Sequence, residues 1–164
     1  GDSVLPKVDF ARTTNLLVLR SLSKTAGLAG LRIGFALGNA SILERINRVT
    51  GPYDVNSFAV TAALAALKDQ AYIDDYIKEV LQARDWIKYQ LTTSSVRHHI
   101  DGGNYLLIWP KGEASRIEAS LKEAGILVRN MQGKQLLEGA LRVSIGTTDQ
   151  MKQFWEAFSR LELI

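Results

Sequence analysis

A polar segment punctuated by glycines, lying between two short apolar runs, constrains this chain more than any other feature of its sequence. The runs cover residues 15–22 and 31–37, and their leucines and strand-forming residues predict strands of a covered sheet. The segment that joins them reads SLSKTAGLAGLRIG from Ser21 to Gly34 and includes the end of the first run and the start of the second. A loop that leaves the end of a buried strand lies where open α/β sheets bind ligands. The pattern therefore predicts a ligand site at this loop.

The residue types in this segment suit a phosphate-bearing aldehyde. Lys24 follows the predicted strand end, where partial burial would favour a neutral amine that can form a Schiff base. Ser21 and Ser23 offer hydroxyl donors, and Arg32 offers a bidentate fork for an anion such as phosphate. The glycines permit close approach of the backbone.

An ordinary structural interpretation stays open beside the chemical one. Lys24 is then a solvated loop lysine, Arg32 an ion-pairing residue and the glycines turn residues, as is common on protein surfaces. The glycines lie three and four residues apart and match neither G-x-G-x-x-G nor G-x-x-x-x-G-K-[ST]. Dinucleotide-binding and P-loop sites are therefore not supported.

Helical patterns follow the second apolar run. Ser41 has the chemistry of an N-cap for a short surface helix, and the alanine-rich residues 57–67 predict a well-buried helix. Residues 72–91 place apolar side chains on one broad stripe, which predicts a long amphipathic helix.

The remaining residues predict a smaller α+β layer. The expected strands are residues 105–109, 126–129 and 141–145, and the expected helices are residues 113–124 and 149–161. Gly125 is expected to end the first of these helices, and Thr148 to start the second. We place a boundary near Asp85, which divides the chain into residues 1–85 and 86–164.

Composition narrows the class of protein. The chain of 164 residues is 46% hydrophobic and 23% charged, as in folded globular proteins. Its net charge of +3 is modest and its basic residues are scattered, so we expect no nucleic-acid partner. The lack of cysteine fits a cytoplasmic protein, and no apolar run is long enough to span a membrane. We expect no metal site.

The segment from Leu17 to Gly34 resembles the cofactor-lysine segment of the fold-type I pyridoxal 5'-phosphate (PLP) aminotransferases, in particular the histidinol-phosphate aminotransferase group. The resemblance continues through YDVNS at 53–57, GNYLL at 103–107 and LRVSIGT at 141–147, and covers nearly the whole chain. It implies the C-terminal part of the α/β PLP-dependent transferase fold. Residues 1–85 would end the large PLP-binding domain, and residues 86–164 would form the small α+β C-terminal domain.

The resemblance also assigns roles to residues. Lys24 would be the catalytic lysine that forms the Schiff base with PLP and moves the substrate proton. Ser21 and Arg32 would hold the PLP phosphate, with Ser23 close beside it. Arg142 would bind the α-carboxylate of the substrate through two hydrogen bonds.

Two further residues are weaker candidates for the substrate site. Asn104 is a candidate substrate-binding residue, although a Gly-Gly-Asn turn before a strand is already good turn chemistry. Arg129 ends a predicted strand and is at least as well explained as a surface residue, so it stays outside the expected site.

The activity implied by the resemblance is transamination in two half-reactions. The substrates would be an amino acid or amino-alcohol phosphate and a 2-oxo acid, most specifically histidinol phosphate and 2-oxoglutarate, in histidine biosynthesis. An aromatic aminotransferase, a threonine-phosphate decarboxylase and a non-catalytic binding domain remain alternatives. Members of the family are about twice this length and homodimeric, so the chain alone is expected to lack its N-terminal half and to be inactive.

Overall fold

A computed structural model describes residues 3–162 and shows a mixed helix and sheet structure. The contacts divide the chain into two compact units, the first ending at Tyr76 and the second beginning at Ile77. The strands are β1 Leu17–Ser21, β2 Gly34–Gly38, β3 Arg97–Ile100, β4 Tyr105–Trp109, β5 Arg129–Asn130 and β6 Leu141–Ser144. The helices are α1 Ala40–Asn47, α2 Ser57–Lys68, α3 Gln70–Thr93, α4 Ala114–Glu123 and α5 Thr148–Glu162. Among the described residues, no helix is both long and apolar enough to cross a membrane.

An antiparallel ribbon of β1 and β2 organises the first unit. Its register runs from the pair Leu17 and Gly38 to the pair Ser21 and Gly34. Both strands were predicted, but β2 begins three residues later than expected because residues 29–31 form a turn of 3-10 helix. The prediction of a covered sheet is wrong for this chain, since Leu19 is 75% exposed and no residue of either strand is buried.

The two short helices of the first unit differ from their predictions in detail. Asn39, not Ser41, caps α1, because its side-chain oxygen accepts the Ser41 amide N–H at 3.0 Å. Helix α2 was expected to be well buried, but only Ala59 and Ala63 are buried and Phe58 is 83% exposed. An alanine-rich sequence with few polar residues predicts a helix but does not show which of its faces are covered.

Helix α3 confirms the predicted amphipathic stripe. It is slightly longer than expected, and along the stripe Ile73, Ala83, Ile87 and Leu91 are buried. The last three of these belong to the core of the second unit.

A four-stranded antiparallel sheet in the order β3-β4-β6-β5 forms the second unit together with its helices. One face of the sheet packs into a core of fifteen buried residues, to which Leu106, Ile108, Leu141 and Val143 contribute. Because side chains alternate along a strand, the other residues of β4 and β6, such as Leu107 and Arg142, lie on the opposite face. We call it the outer face of the sheet. Strand β3, at one edge, was not predicted.

The ends of α4 explain why one strand was misplaced. Gly125, with φ of +78°, follows α4 and donates to the Lys122 carbonyl, while the Ile126 N–H returns to the Leu121 carbonyl at 2.8 Å. This pair of bonds is the Schellman arrangement, so Gly125 ends the helix as predicted. Since Ile126 completes the helix stop, the strand expected at 126–129 is wrong, and β5 starts only at Arg129.

Helix α5 starts at Thr148 as predicted, and the residue before it supplies the cap. The Thr147 hydroxyl accepts the Gln150 N–H at 3.3 Å, and the Gln150 side chain accepts the Thr147 N–H at 2.9 Å. This reciprocal pair is a capping box, which satisfies two backbone donors that a helix start leaves without partners.

Candidate active site

The loop after β1 carries the predicted lysine. The Leu28 N–H donates to the Leu22 carbonyl at 3.0 Å, and the Gly27 N–H donates to the Lys24 carbonyl at 3.2 Å. These two bonds fold residues 22–28 back on themselves. The Lys24 side chain is exposed, so the expectation of partial burial is wrong for this chain. Its amine is accessible to a ligand.

A small apolar core fixes both ends of this loop region. Leu22 and Ile33, at 9% and 8% exposure, are buried together with Ala59 and Ala63 of α2. Leu22 lies between the two predicted serines, and Ile33 follows Arg32 directly. The same few apolar residues therefore hold the two stretches of backbone from which the predicted cofactor groups project.

The two serines are joined by a local hydrogen bond. The Ser23 N–H donates to the Ser21 hydroxyl oxygen at 3.1 Å. A hydroxyl that accepts a bond in this way still has its own hydrogen to donate. Ser21 is exposed and Ser23 half-buried.

Arg32 has an unusual backbone conformation. Its φ of 56° and ψ of 40° place it in the left-handed region, just after the 3-10 turn Ala29–Leu31. For a residue other than glycine this costs about 1–2 kcal/mol, and such conformations cluster at functional sites. The guanidinium makes only a long bond, 3.5 Å, to the Ala29 carbonyl and is exposed. Most of its N–H groups remain available to an anion.

Asn56 supports the segment before Arg32 and was not singled out from the sequence. Its side-chain oxygen accepts the Ala59 N–H at 2.9 Å as the N-cap of α2, and its side-chain nitrogen donates to the Leu31 carbonyl at 3.3 Å. One side chain thus ties the start of α2 to the residue before Arg32. An asparagine directly before an alanine-rich helix is the sequence signal that could have identified it.

The chemistry of this region suits PLP. One amine, two hydroxyls and one guanidinium come from residues 21–32 of the first unit, and they supply a nucleophile and several donors for a phosphate. The four predicted cofactor residues thus lie within one short stretch of chain. Asn104 and Arg142, the predicted substrate residues, lie in the second unit.

Arg142 lies on the outer face of the second unit's sheet. It stands between the core residues Leu141 and Val143, and its guanidinium carbon lies 4.6 Å from the centre of the Tyr105 ring. Its Nε is buried and has no hydrogen-bond partner among the described residues. A buried donor of this kind loses about 1–3 kcal/mol unless an acceptor reaches it. Arg142 therefore has unused capacity to bind an anion.

A second arginine lies beside Arg142. The register of β5 and β6 pairs Arg129 directly with Arg142, so both side chains belong to the outer face. Like charges directly opposite each other destabilise a sheet unless an anion is bound between or near them. Arg129 is not among the site residues expected from the sequence. Its pairing with Arg142 follows from the strand register, and the sequence pattern had placed that strand at the wrong residues.

Asn104 has a backbone role in the structure. It precedes β4, and its carbonyl accepts the Ile145 N–H at 2.9 Å. This bond extends the pairing of β4 and β6 by one residue beyond the pair Tyr105 and Ser144. Its side chain is exposed. Substrate binding by that side chain stays a prediction.

Comparison with known proteins identifies the class of protein. The profile of the family "Aminotransferase class I and II" matches residues 3–158. The chain therefore belongs to the class I and II aminotransferases, a PLP-dependent family. The roles of Lys24 and its neighbours within that family stay predictions.

Individual relatives are more specific. The chain is 33% identical to a histidinol-phosphate aminotransferase of Chlorobaculum tepidum over 97% of its own length and 45% of the relative's. It is 39% identical to histidinol-phosphate aminotransferase 1 of Oceanobacillus iheyensis over 85% of its own length and 40% of the relative's. The chain thus spans about half the length of the curated relatives it matches.

Solved structures share the fold. The histidinol-phosphate aminotransferase of Sinorhizobium meliloti, in complex with pyridoxal-5'-phosphate, superimposes with a TM-score of 0.76 at 25% identity, covering 93% of this chain and 42% of that one. The L-threonine-O-3-phosphate decarboxylase of Porphyromonas gingivalis gives 0.74 at 26% identity, covering 93% and 48%. These matches confirm the predicted fold class, in which this chain corresponds to about half of the reference chains.

Proposed function

We propose that the full-length protein is a PLP-dependent transaminase that transfers the amino group of histidinol phosphate to 2-oxoglutarate, giving imidazole acetol phosphate and glutamate in histidine biosynthesis. The observation that favours a phosphate-bearing substrate is the cross-strand pair Arg129 and Arg142. One guanidinium matches a carboxylate, whereas two adjacent guanidiniums match the larger charge and three oxygens of a phosphate monoester. The names of the curated relatives support the same substrate.

Five of the predicted residues have a defined task in this reaction. PLP, when bound, supplies the electron sink that makes the substrate's α-proton removable. Lys24 Nζ holds the cofactor covalently in the resting enzyme and then carries that proton. The hydroxyls of Ser21 and Ser23 and the guanidinium of Arg32 bind the cofactor phosphate. Arg142 binds and orients the anionic end of the substrate, assisted by Arg129.

Three alternatives make different predictions. A threonine-phosphate decarboxylase also binds a phosphate, so the arginine pair supports it too, and one solved neighbour carries that name. It would release carbon dioxide from threonine phosphate. An aromatic aminotransferase would prefer phenylalanine, whose single carboxylate needs only Arg142. A non-catalytic binding domain would form no adduct with PLP.

The expected assembly and location belong to the same proposal. The family resemblance predicts a homodimer in the cytoplasm, with small-molecule substrates and neither a nucleic acid nor a membrane as partner. Both features stay predictions, and the mass of the full-length protein in solution would test the first.

Trapping with borohydride tests the cofactor assignment. The full-length protein is incubated with PLP, reduced and digested, and pyridoxyl-lysine is mapped by mass spectrometry. We expect a stoichiometric adduct at Lys24 that Lys24→Gln abolishes and that Lys68→Gln, a control at another exposed lysine, leaves intact. Selective labelling of a different lysine, or none, would contradict the role of Lys24.

A substrate comparison tests the choice among the enzymes. We expect faster turnover of histidinol phosphate with 2-oxoglutarate than of phenylalanine, and no carbon dioxide from threonine phosphate. Arg129→Gln should raise the KM for histidinol phosphate about 10- to 100-fold, the range of one charge-assisted hydrogen bond. Arg97→Gln, on the outer face at β3, should leave that KM unchanged. Equal effects of the two substitutions would remove Arg129 from the site.

A further inference from the structure

An aromatic ring lies against the arginine that is expected to bind substrate. Tyr105 is opposite Ser144 and Leu107 is opposite Arg142 in the β4–β6 register, so Tyr105 and Arg142 are diagonal neighbours on the outer face. The guanidinium carbon lies 4.6 Å from the ring centre, well within the range of a cation–π contact. This contact is not needed to build the core, because the core is on the other face of the sheet.

The chain makes room for this ring. A Cβ added at Gly103 would lie 3.2 Å from Cε1 and 3.4 Å from Cδ1 of Tyr105. Any larger residue at position 103 would therefore push the ring by a few tenths of an ångström. The glycine before Asn104 thus serves a packing purpose beyond the turn.

The electrostatics of the outer face give the ring a task. Arg129 lies directly across from Arg142 in the strand register. Repulsion between the two guanidiniums would push them apart unless another contact holds them in place. The negative face of an aromatic ring attracts a guanidinium without using any of its N–H groups. Contact with Tyr105 therefore holds Arg142 near Arg129 while its N–H groups stay free for an anion.

We propose that Tyr105 is a positioning residue, which holds the Arg142 guanidinium in place for the anionic group of the substrate, and that Gly103 is required because it leaves space for the ring. The inference rests on the proposed function in one respect, that Arg142 binds an anion. The position of the guanidinium itself can be tested without any activity.

Nuclear magnetic resonance of the arginine side chains tests the positioning. The Nε–Hε signal of Arg142 is assigned in the whole chain by its loss in Arg142→Gln, and inorganic phosphate is then titrated. In Tyr105→Leu we expect the signal to lose its ring-current shift and the phosphate affinity at Arg142 to fall about threefold to tenfold, the range of one cation–π contact. Tyr105→Phe, which keeps the ring, should restore both.

A matched contact on the same sheet provides the control. The Arg97 guanidinium lies 4.3 Å from the centre of the Trp109 ring, also on the outer face. Trp109→Leu removes that cation–π contact and should leave the Arg142 signal and its phosphate affinity unchanged. If Tyr105→Leu fails to fold, Gly103→Ala displaces the ring without removing it, and it should shift the Arg142 signal.

The outcomes separate the two proposals. An Arg142 signal and phosphate affinity that are unchanged in both Tyr105→Leu and Gly103→Ala would overturn the positioning role. A wild-type Arg142 signal that depends on Tyr105 but does not respond to phosphate would support the contact and contradict anion binding by Arg142. Failure of transamination in the full-length protein would count against the proposed function alone.

Discussion

Gly34 lies opposite Ser21 at the end of the β1–β2 ribbon from which the loop that carries Lys24 begins. A Cβ at this position would lie 2.9 Å from the Arg20 carbonyl oxygen, a backbone atom that cannot move aside without breaking the strand pairing. We expect Gly34→Ala to destabilise the first unit by about 1–3 kcal/mol, as overpacking does. Urea unfolding measures the change in stability, and hydrogen exchange of the β1 amides shows whether the loss lies in the first unit.

Gly30 is the matched control for this prediction. A Cβ there would meet no atom within 4 Å, and its backbone lies in a turn of 3-10 helix that other residues also adopt. Gly30→Ala should leave both stability and exchange nearly unchanged. Equal losses in the two variants would show that the close approach at Gly34 is not the cause.

For individual residues, the sequence indicated which side chains are candidates for the site but not how exposed they are or what lies next to them. Lys24, Ser21, Ser23 and Arg32 were predicted because an amine, hydroxyls and a guanidinium lie in one glycine-containing segment that resembles the cofactor-lysine segment of a known family, and their roles stay predictions. The exposure of the lysine could not be predicted, since it depends on which residues cover the loop. Arg129 was not expected in the site because a surface arginine at a strand end explained it equally well, and its pairing with Arg142 depends on strand register, which the sequence does not show.

Asn56 links two elements of the first unit with opposite ends of one side chain. Its oxygen caps α2 and its nitrogen bonds to the Leu31 carbonyl. Asn56→Ala removes both bonds and should cost about 1–2 kcal/mol, mostly from the lost cap. Thermal unfolding of the chain measures this loss.

Asn56→Asp separates the two bonds. The carboxylate still accepts the Ala59 N–H and favours the helix N-terminus, but it cannot donate to the Leu31 carbonyl. We expect little loss of helix stability, together with weaker PLP binding in the full-length protein because the backbone before Arg32 is less restrained. Unchanged PLP affinity in both variants would make Asn56 a cap and nothing more.

Element prediction succeeded where periodicity was strong. Helices α3, α4 and α5 carry apolar side chains at helical spacing, and each was predicted with the correct type and nearly correct ends. Burial of α2 was mispredicted because Phe58 and the alanines around it are apolar on all sides, which leaves the covered face undefined. Strands β3 and β5 contain only four and two residues, too few for an alternating pattern to be distinguished from a loop.

The two units of the molecule differ in the size of their cores. The second unit has fifteen buried core residues, whereas the cluster described for the first has four. Stability follows buried apolar area, so the second unit should unfold at the higher urea concentration. Hydrogen exchange in β4 and α5 should accordingly be slower than in β1 and α2.

Phe158→Ala tests this difference. Phe158 is fully buried and stacks on Phe154 with ring centres 5.4 Å apart, so its truncation should cost about 3–5 kcal/mol. We expect faster exchange throughout the second unit and unchanged exchange in β1. Loss of protection in β1 as well would show that the two units unfold together.

At the scale of the whole molecule, the motifs were more informative than the element patterns. Composition and periodicity gave a folded α/β chain, but only the segment at 17–34, with the motifs at 53–57, 103–107 and 141–147, indicated the family that the profile match confirms. The boundary near Asp85 stays a prediction, because the helix α3 runs without interruption through that position. A continuous helix gives no local signal of where one domain ends.

Because β5 is only two residues long, the side chain at position 129 contributes little to holding the sheet together. Only two residues pair it with β6, and its backbone is held instead by α4, where the Glu118 carboxylate accepts the Asn130 N–H at 3.3 Å. The side chain at 129 can therefore be exchanged while the sheet and its core remain as they are. If Arg129 selects a phosphate-bearing substrate, as proposed, a substitution at position 129 would change that preference without altering Lys24 or the loop around it.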